Sequence, residues 1–340
     1  MLLRHHRGGD IMGGERLRIG IIGAGIAGRR HAAAFARHPG AVVAAVAEVD
    51  DAAGQEFAEK FGVTHDRDYR RMLERGLDAV VICVPHALHL ECGRAAAEAR
   101  AHILMEKPIA NTLDEAHAIL EATSRAGVTL MMGYVHRFRP EVSNARRLIV
   151  EGRLGRVATA LDRFVSGSMV DTPAWVWDRA QAGGGVLMYG GVHPIDRLRW
   201  LVGEEIVEVH ARTATYANPT TVEDGVVALL TFQSGAFGAL YENAPGYGRF
   251  GQWTTEVFGT EGALAITTGS TLEYKGYGQH EHWTYEEDHR FDRQAEEFVA
   301  AITEGRPPSV TGEDGLRGLE VVLAIYRSAS SGRPQATCPS

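Results

Sequence analysis

The chain has 340 residues, 45% of them hydrophobic and 23% charged, which is the balance of a globular protein with apolar mass for two domains rather than one core. Its net charge of −8 argues against nucleic acid as a partner, since phosphate binding needs a basic surface. Cys83, Cys92 and Cys338 form no Cys-x-x-Cys pair, and no apolar run reaches the roughly 18 residues of a membrane span; a disulfide framework, a structural zinc site and a membrane partner are thereby disfavoured, and a reducing cytoplasmic setting is expected.

Residues 1–16 carry charge and glycine without an apolar stretch, so they read as a solvated leader with an alternative start at Met12, not as a secretion signal. Leu17–Ile22 is a short apolar strand, followed by Gly23-Ala24-Gly25-Ile26-Ala27-Gly28 and a helix through 31–38 that ends at Pro39-Gly40. A second strand, Ala41–Ala47, a helix over 52–61 closed by Gly62, and a strand over 78–84 ending at Pro85 come next. A helix over 88–99, strand His102–Met105, helix Leu113–Ala126 and a strand over 128–134 continue the alternation. Strands that are apolar throughout and alternate with helices at this spacing predict a doubly wound parallel sheet, an α/β Rossmann domain over 17–138.

After about Arg139 the texture changes. A helix ends near 146–151, and strands then dominate: Val157–Val165, Ile206–Ala214, Gly225–Phe232, 236–242, 253–258 and 263–267. Several alternate apolar with polar residues, as in an antiparallel sheet with one open face. A helix over 192–201 interrupts them, and helices over 292–303 and 312–330 close the chain. The expected second domain, 139–310, is α+β around a large open, mainly antiparallel sheet. Residues 311–333 are expected to form a helix packing back on the first domain.

The glycine motif follows a strand, opens a helix, and is followed twenty residues after Gly28 by Glu48 at the end of the second strand. In that context it predicts a dinucleotide site. Gly23 permits the tight turn, Gly25 lets the backbone approach a pyrophosphate, and Gly28 lets helix and strand pack closely. The N–H groups around Ile26 and Ala27 face the phosphates. Glu48 accepts hydrogen bonds from ribose hydroxyls and repels a 2′-phosphate, which favours NAD over NADP, although Arg29 and Arg30 lie close enough in sequence to serve NADP.

Cys83, Pro85, His86 and His89 sit at or just beyond the end of the 78–84 strand, where a doubly wound sheet binds ligands, so this loop is expected at the nicotinamide ribose. A metal reading of His86 and His89 lacks a third ligand. Glu106-Lys107-Pro108 ends the next strand. Lys107 there can stabilise an alkoxide that develops as hydride leaves. The run Gly183-Gly184-Gly185 leads through Tyr189 to His193 and Asp196. Tyr189 and His193, four apart, share a helical face, and a histidine near neutrality can take a hydroxyl proton. The stretch His280-Glu281-His282 to His289 reads as an edge strand and turn, not as a metal site, and no metal is expected.

This ordered set resembles the Gfo/Idh/MocA family, the glucose–fructose oxidoreductase and inositol dehydrogenase family. Tyr134-Val135-His136-Arg137-Phe138, Gly259-Thr260-Glu261-Gly262 and Thr311-Gly312-Glu313-Asp314-Gly315 extend the resemblance over about 18–333. It implies Lys107 as the catalytic lysine and His193 as a substrate-binding acid–base histidine. It implies a sugar, keto sugar or cyclitol as substrate, and a homodimer or homotetramer formed through the open sheet. Many polyol dehydrogenases of the family carry Asp four residues before the histidine. Tyr189 stands there instead and is a neutral proton donor, so reduction of a keto sugar or oxidation of a bulkier sugar is as well supported as inositol oxidation. Arg137, Trp175, Trp177 and Asp196 are expected in the pocket wall, with tryptophan faces suited to sugar rings. The alternatives are an enzyme that retains NAD for elimination or glycoside cleavage through a transient ketone, and a non-catalytic nucleotide-binding regulator.

Overall fold

In the computed structural model, residues 16–165, 172–218, 220–245 and 253–337 are described; the expected leader, apart from Arg16, and Cys338 lie outside them. The first elements are β1 (Leu17–Ile22), α1 (Ile26–Arg37), β2 (Ala41–Ala47), α2 (Asp51–Phe61), β3 (Thr64–Asp66) and α3 (Tyr69–Leu73). They continue with β4 (Ala79–Ile82), α4 (His89–Glu98), β5 (His102–Met105), α5 (Leu113–Ala126) and β6 (Leu130–Met132). The strands pair in parallel in the order β3-β2-β1-β4-β5-β6. The order reverses between β1 and β4, and the crevice beyond their carboxyl ends is where such sheets bind ligands. Ile19, Ile21, Val80, Val81, Ile103 and Leu104 are fully buried, as strands covered by helices on both faces require.

Local signals set the helix ends. The Asp50 side chain accepts the Ala53 N–H at the start of α2, and Gly62 ends that helix at φ 66°. Thr112 and Glu115 form a reciprocal capping box at α5. The strand β3 and helix α3, three and five residues long, are absent from the sequence reading because so few positions show no period.

The second half comprises α6 (Pro140–Val150), β7 (Val157–Val165), α7 (Arg179–Ala182), α8 (Val192–Val202), β8 (Ile206–Ala214), β9 (Gly225–Phe232) and β10 (Phe237–Asn243). It closes with β11 (Thr254–Gly259), β12 (Gly262–Thr267), β13 (Thr271–Gly276), β14 (Gln279–Thr284), α9 (Arg290–Glu304), α10 (Gly312–Ser331) and β15 (Gln335–Ala336). Its nine-stranded sheet runs β14-β13-β12-β11-β7-β10-β9-β8-β15. Every pairing is antiparallel except β7 with β10. The helix expected only near 146–151 is a full helix, started by Pro140 at its first position. The two C-terminal helices both reach the first lobe. α9, from the segment assigned to the second domain, packs on α1, and α10 packs on β8 as well as on α5 and β6. The two lobes share one contiguous apolar cluster, because α10 presents buried residues to both sheets. Among the described residues, no helix is long and apolar enough to cross a membrane.

Candidate active site

The glycine turn joins β1 to α1 at the sheet's crevice. Gly23 has φ 101°, and a Cβ there would lie 2.5 Å from the Cys83 carbonyl oxygen, so only glycine fits. A Cβ at Gly28 would lie 2.0 Å from the Gly23 carbonyl oxygen, whereas Gly25 faces open space. The first turn of α1 has no side-chain cap, leaving its N–H groups free for an anion. Glu48 Oε2 accepts the Ala24 N–H at 2.8 Å and Oε1 the Asp50 N–H at 3.1 Å, so the carboxylate is tied to this turn. Arg29 is engaged by the Ala24 carbonyl and bidentately by Glu56, which leaves it poorly placed to serve a 2′-phosphate. These residues fit a dinucleotide without the extra phosphate.

From this turn a cavity of ≈ 430 Å³ opens between the lobes. It is lined by Gly25, Ile26, Ala27 and Cys83 of the glycine turn and the end of β4, by Glu106, Lys107, Trp175, Tyr189 and His193, and by Phe164, Glu242 and Trp253 from the second sheet and its approach. Lys107 Nζ donates to the Tyr189 carbonyl at 2.9 Å and lies 4.6 Å from the centre of the Tyr189 ring, a cation–π contact that fixes the ammonium. Glu106 bonds His31 at 2.9 Å. Burial alone would raise the Glu106 carboxyl, but the His31 bond and the neighbouring Lys107 bring it down to about 2, so it stays ionised beside the lysine.

Tyr189 lies in a π-helical turn, Leu187–Gly191, that runs directly into α8, so the two expected partners on one α-helical face are separated by a wider turn. Glu223 holds this segment, its Oε1 accepting the Gly185 and Leu187 N–H groups and the Tyr326 hydroxyl. The His193 ring stacks on His136 at 4.3 Å with an interplanar angle of 7°. Neither Nδ1 has a hydrogen-bond partner among the described residues. Burial, then the Lys107 charge, keeps His193 well below the usual histidine value; burial, then His193, does the same for His136. Both rings are neutral at pH 7, which is what close stacking requires. His136 also packs on Trp253, whose Nε1 donates to Asp162 at 2.7 Å, and Asp162 pairs with the buried Arg197 at 2.9 Å.

Residues 17–134 match the family model described as "Oxidoreductase family, NAD-binding Rossmann fold", and residues 142–265 match the "GFO/IDH/MocA C-terminal domain". The chain belongs to the Gfo/Idh/MocA oxidoreductases. The myo-inositol 2-dehydrogenase of Thermotoga maritima is 28% identical over 332 residues, covering 93% of this chain and 97% of the relative. The 1,5-anhydro-D-fructose reductase of Ensifer adhaerens is 29% identical over 330 residues, with 93% and 97% covered. A levoglucosan dehydrogenase solved with NADH and levoglucosan superposes with a TM-score of 0.88 at 27% identity, over 96% of this chain and 100% of that one.

Within this Gfo/Idh/MocA scaffold several expected site residues do other work. His89 is fully buried and not among the residues lining the cavity, its Nδ1 and Nε2 bonded to the carbonyls of Pro108 and Val84; it ties the Lys107 loop to the end of β4. His86 does line the cavity, but its Nδ1 bonds the Ala182 carbonyl and its ring stacks with Tyr189. Pro85 and Trp177 are outside the lining, where Trp175 stands. Arg137 and Asp196 are buried against each other, at 2.9 and 2.5 Å, and Arg137 reaches Asp314 on α10 at 2.8 Å. They form an ion pair that joins α8 to α10 and are not among the residues lining the cavity, each satisfying the other's charge. Among the described residues, no three His, Cys, Asp or Glu side chains are grouped to hold a metal, and His280 bonds Glu273 across β13 and β14. Sequence reasoning missed Phe164, Glu242 and Trp253, and it passed over His136 as a motif member without a role. Only the inward alternation of β10 hinted at Glu242.

Proposed function

We propose that the chain is an NAD-dependent dehydrogenase or reductase that moves hydride between nicotinamide and a carbinol or ketone carbon of a sugar, keto sugar or cyclitol. The observation that carries this reading is the Lys107 ammonium, fixed on Tyr189, in the same cavity as the open glycine turn and the neutral His193. Gly23, Gly25 and Gly28, the first N–H groups of α1, and Glu48 would hold the dinucleotide, and its nicotinamide would accept or supply the hydride. Lys107 polarises the reacting oxygen and stabilises the alkoxide. His193, neutral and with its Nδ1 lacking a hydrogen-bond partner among the described residues, takes the hydroxyl proton in oxidation and returns it in reduction. Tyr189 orients the lysine, and Trp175 and Trp253 offer faces to a ring substrate. The related inositol, anhydrofructose and levoglucosan enzymes support this substrate class.

Val227, Leu229, Phe237, Tyr241 and Phe258, exposed on β9, β10 and β11, support a homo-oligomer joined through this face of the sheet. The free thiols of Cys83 and Cys92 support a cytoplasmic setting. The test is a screen of NADH absorbance over sugars, keto sugars and inositols with NAD and with NADP, together with light scattering for oligomer mass. Turnover of a carbohydrate with NAD that a Lys107 variant loses is the expected result; no turnover of any of them refutes the reading.

A further inference from the structure

Glu242 lies on β10, facing inward, with Phe164 of β7 and Val226 of β9 as its register partners. It is fully buried, it lines the cavity with Lys107 and His193, and neither carboxyl oxygen has a partner among the described residues. The other buried acids of this region are engaged through at least one oxygen: Asp162 by Arg197, Trp253 and Thr255, Asp196 by Arg137, and Glu223 through Oε1 by two backbone N–H groups and Tyr326, its Oε2 alone lacking a partner among the described residues; only Glu242, of these four, has both oxygens unpartnered. Burying a polar group without a partner is costly, so a carboxyl kept this way at a cavity wall points to a ligand that supplies the partner.

The helical segment opposite is shaped for it. A Cβ at Gly190 would lie 2.5 Å from Glu242 Oε1, and one at Gly191 would lie 2.4 Å from Oε2. Two glycines inside a helical stretch weaken the helix relative to alanine; here they leave space for the carboxyl. Burial, followed by the Asp162 and Glu223 carboxylates, raises the Glu242 carboxyl well above the usual carboxylate range, with only Lys107 acting the other way. A protonated carboxyl has one donor and one acceptor face, the complement of two neighbouring alcohols.

We propose that Glu242 is a substrate-specificity residue that grips two adjacent hydroxyls of the ring held against Lys107 and His193, donating to one and accepting from the other. This rests on the carbohydrate reading above. It places a carboxyl in the substrate site from the sheet, in a chain that has Tyr189 four residues before the histidine.

The experiment uses the full chain with NAD and myo-inositol, levoglucosan and D-xylose as probes, plus monodeoxy analogues of whichever is turned over. Glu242→Leu lowers kcat/KM about 10- to 100-fold with NADH affinity unchanged, whereas Glu242→Gln, which keeps a donor and an acceptor, stays within about threefold. The analogue lacking the gripped hydroxyl is penalised by the same factor in the wild type but not in Glu242→Leu. Wild-type kinetics in Glu242→Leu overturn the assignment. So does a loss in Glu242→Gln as large as in Glu242→Leu, which would mean that the substrate reads a carboxylate charge, as an ammonium group does. Should Glu242→Leu fail to fold, the wild-type analogue series decides alone: uniform kcat/KM across it overturns the proposal. Wild-type turnover lost in Lys107→Met but retained in Glu242→Leu rejects Glu242 only, whereas no wild-type turnover of any probe rejects the carbohydrate reading with it.

Discussion

Replacing Lys107 with methionine shortens the unbranched side chain by one heavy atom and removes its charge. In the folded protein that charge is held by one hydrogen bond of 2.9 Å to the Tyr189 carbonyl and by the tyrosine ring at 4.6 Å, so it is positioned before substrate arrives and needs no reorganisation as an alkoxide forms. Deleting one such preorganised group costs about 3–4 kcal/mol of transition-state stabilisation, or about 10²- to 10³-fold in kcat. A second effect identifies the cause. After burial, Lys107 is the largest influence holding His193 below its ordinary value; without it the imidazole gains protons more readily, and the acid limb of kcat/KM moves to higher pH. The assay is steady-state NADH absorbance across pH, with NADH binding by fluorescence to show that the cofactor site survives. A variant that binds NADH, keeps kcat within about threefold of wild type and leaves the acid limb in place would remove the ammonium from the chemistry.

Asp196→Ala leaves the buried Arg137 with Asp314 as its remaining carboxylate partner, and it should lower unfolding stability in urea by about 3 kcal/mol, while folded protein keeps kcat/KM within a few-fold; the opposite pattern would make the pair part of the substrate site. Gly28→Ala puts a Cβ 2.0 Å from the Gly23 carbonyl oxygen, so the turn must shift, and NADH affinity measured by fluorescence titration should fall about 10- to 100-fold. Glu48→Ala removes the negative charge tied to the turn and should raise the NADP-to-NAD ratio of kcat/KM about tenfold, an unchanged ratio counting against its role in selection. Glu106 has a folded value of about 2 against an ordinary 4.5. Its contribution, on the order of 3 kcal/mol, is therefore present above pH 4.5 and drains away as pH falls toward 2. Glu106→Gln should flatten that part of the stability–pH curve, and an unaltered curve would refute the assignment.

Much of the dinucleotide lobe is legible because its signals are local. Gly62 and Gly127 stop α2 and α5 in the left-handed region, Thr112 and Glu115 cap a helix three residues apart, and the apolar runs of β1, β4 and β5 announce burial on both faces. The same locality explains the errors. Arg137, Asp196 and His89 are polar residues beside motif glycines and prolines, where function is the natural expectation. Their partners, Asp314, Pro108 and Val84, lie 177, 19 and 5 residues away, and sequence spacing does not reveal that they satisfy one another. Glu242 presents the reverse case, an ordinary inward position on a strand whose lack of a partner emerges only when the neighbouring acids are seen to be engaged.

By itself the amino-acid order determined the family, the parallel sheet with its glycine turn, and the lysine and histidine of the proposed site, since turn geometry, helix capping and strand burial are decided within a few residues. Tertiary structure alone decided which charged groups line the cavity and which neutralise one another beneath it, how α9 and α10 stitch the lobes together, and that His136 stacks on His193. Those outcomes depend on burial and on contacts between residues far apart in the chain, and the free energy of a charge in a protein is set by what surrounds it in space.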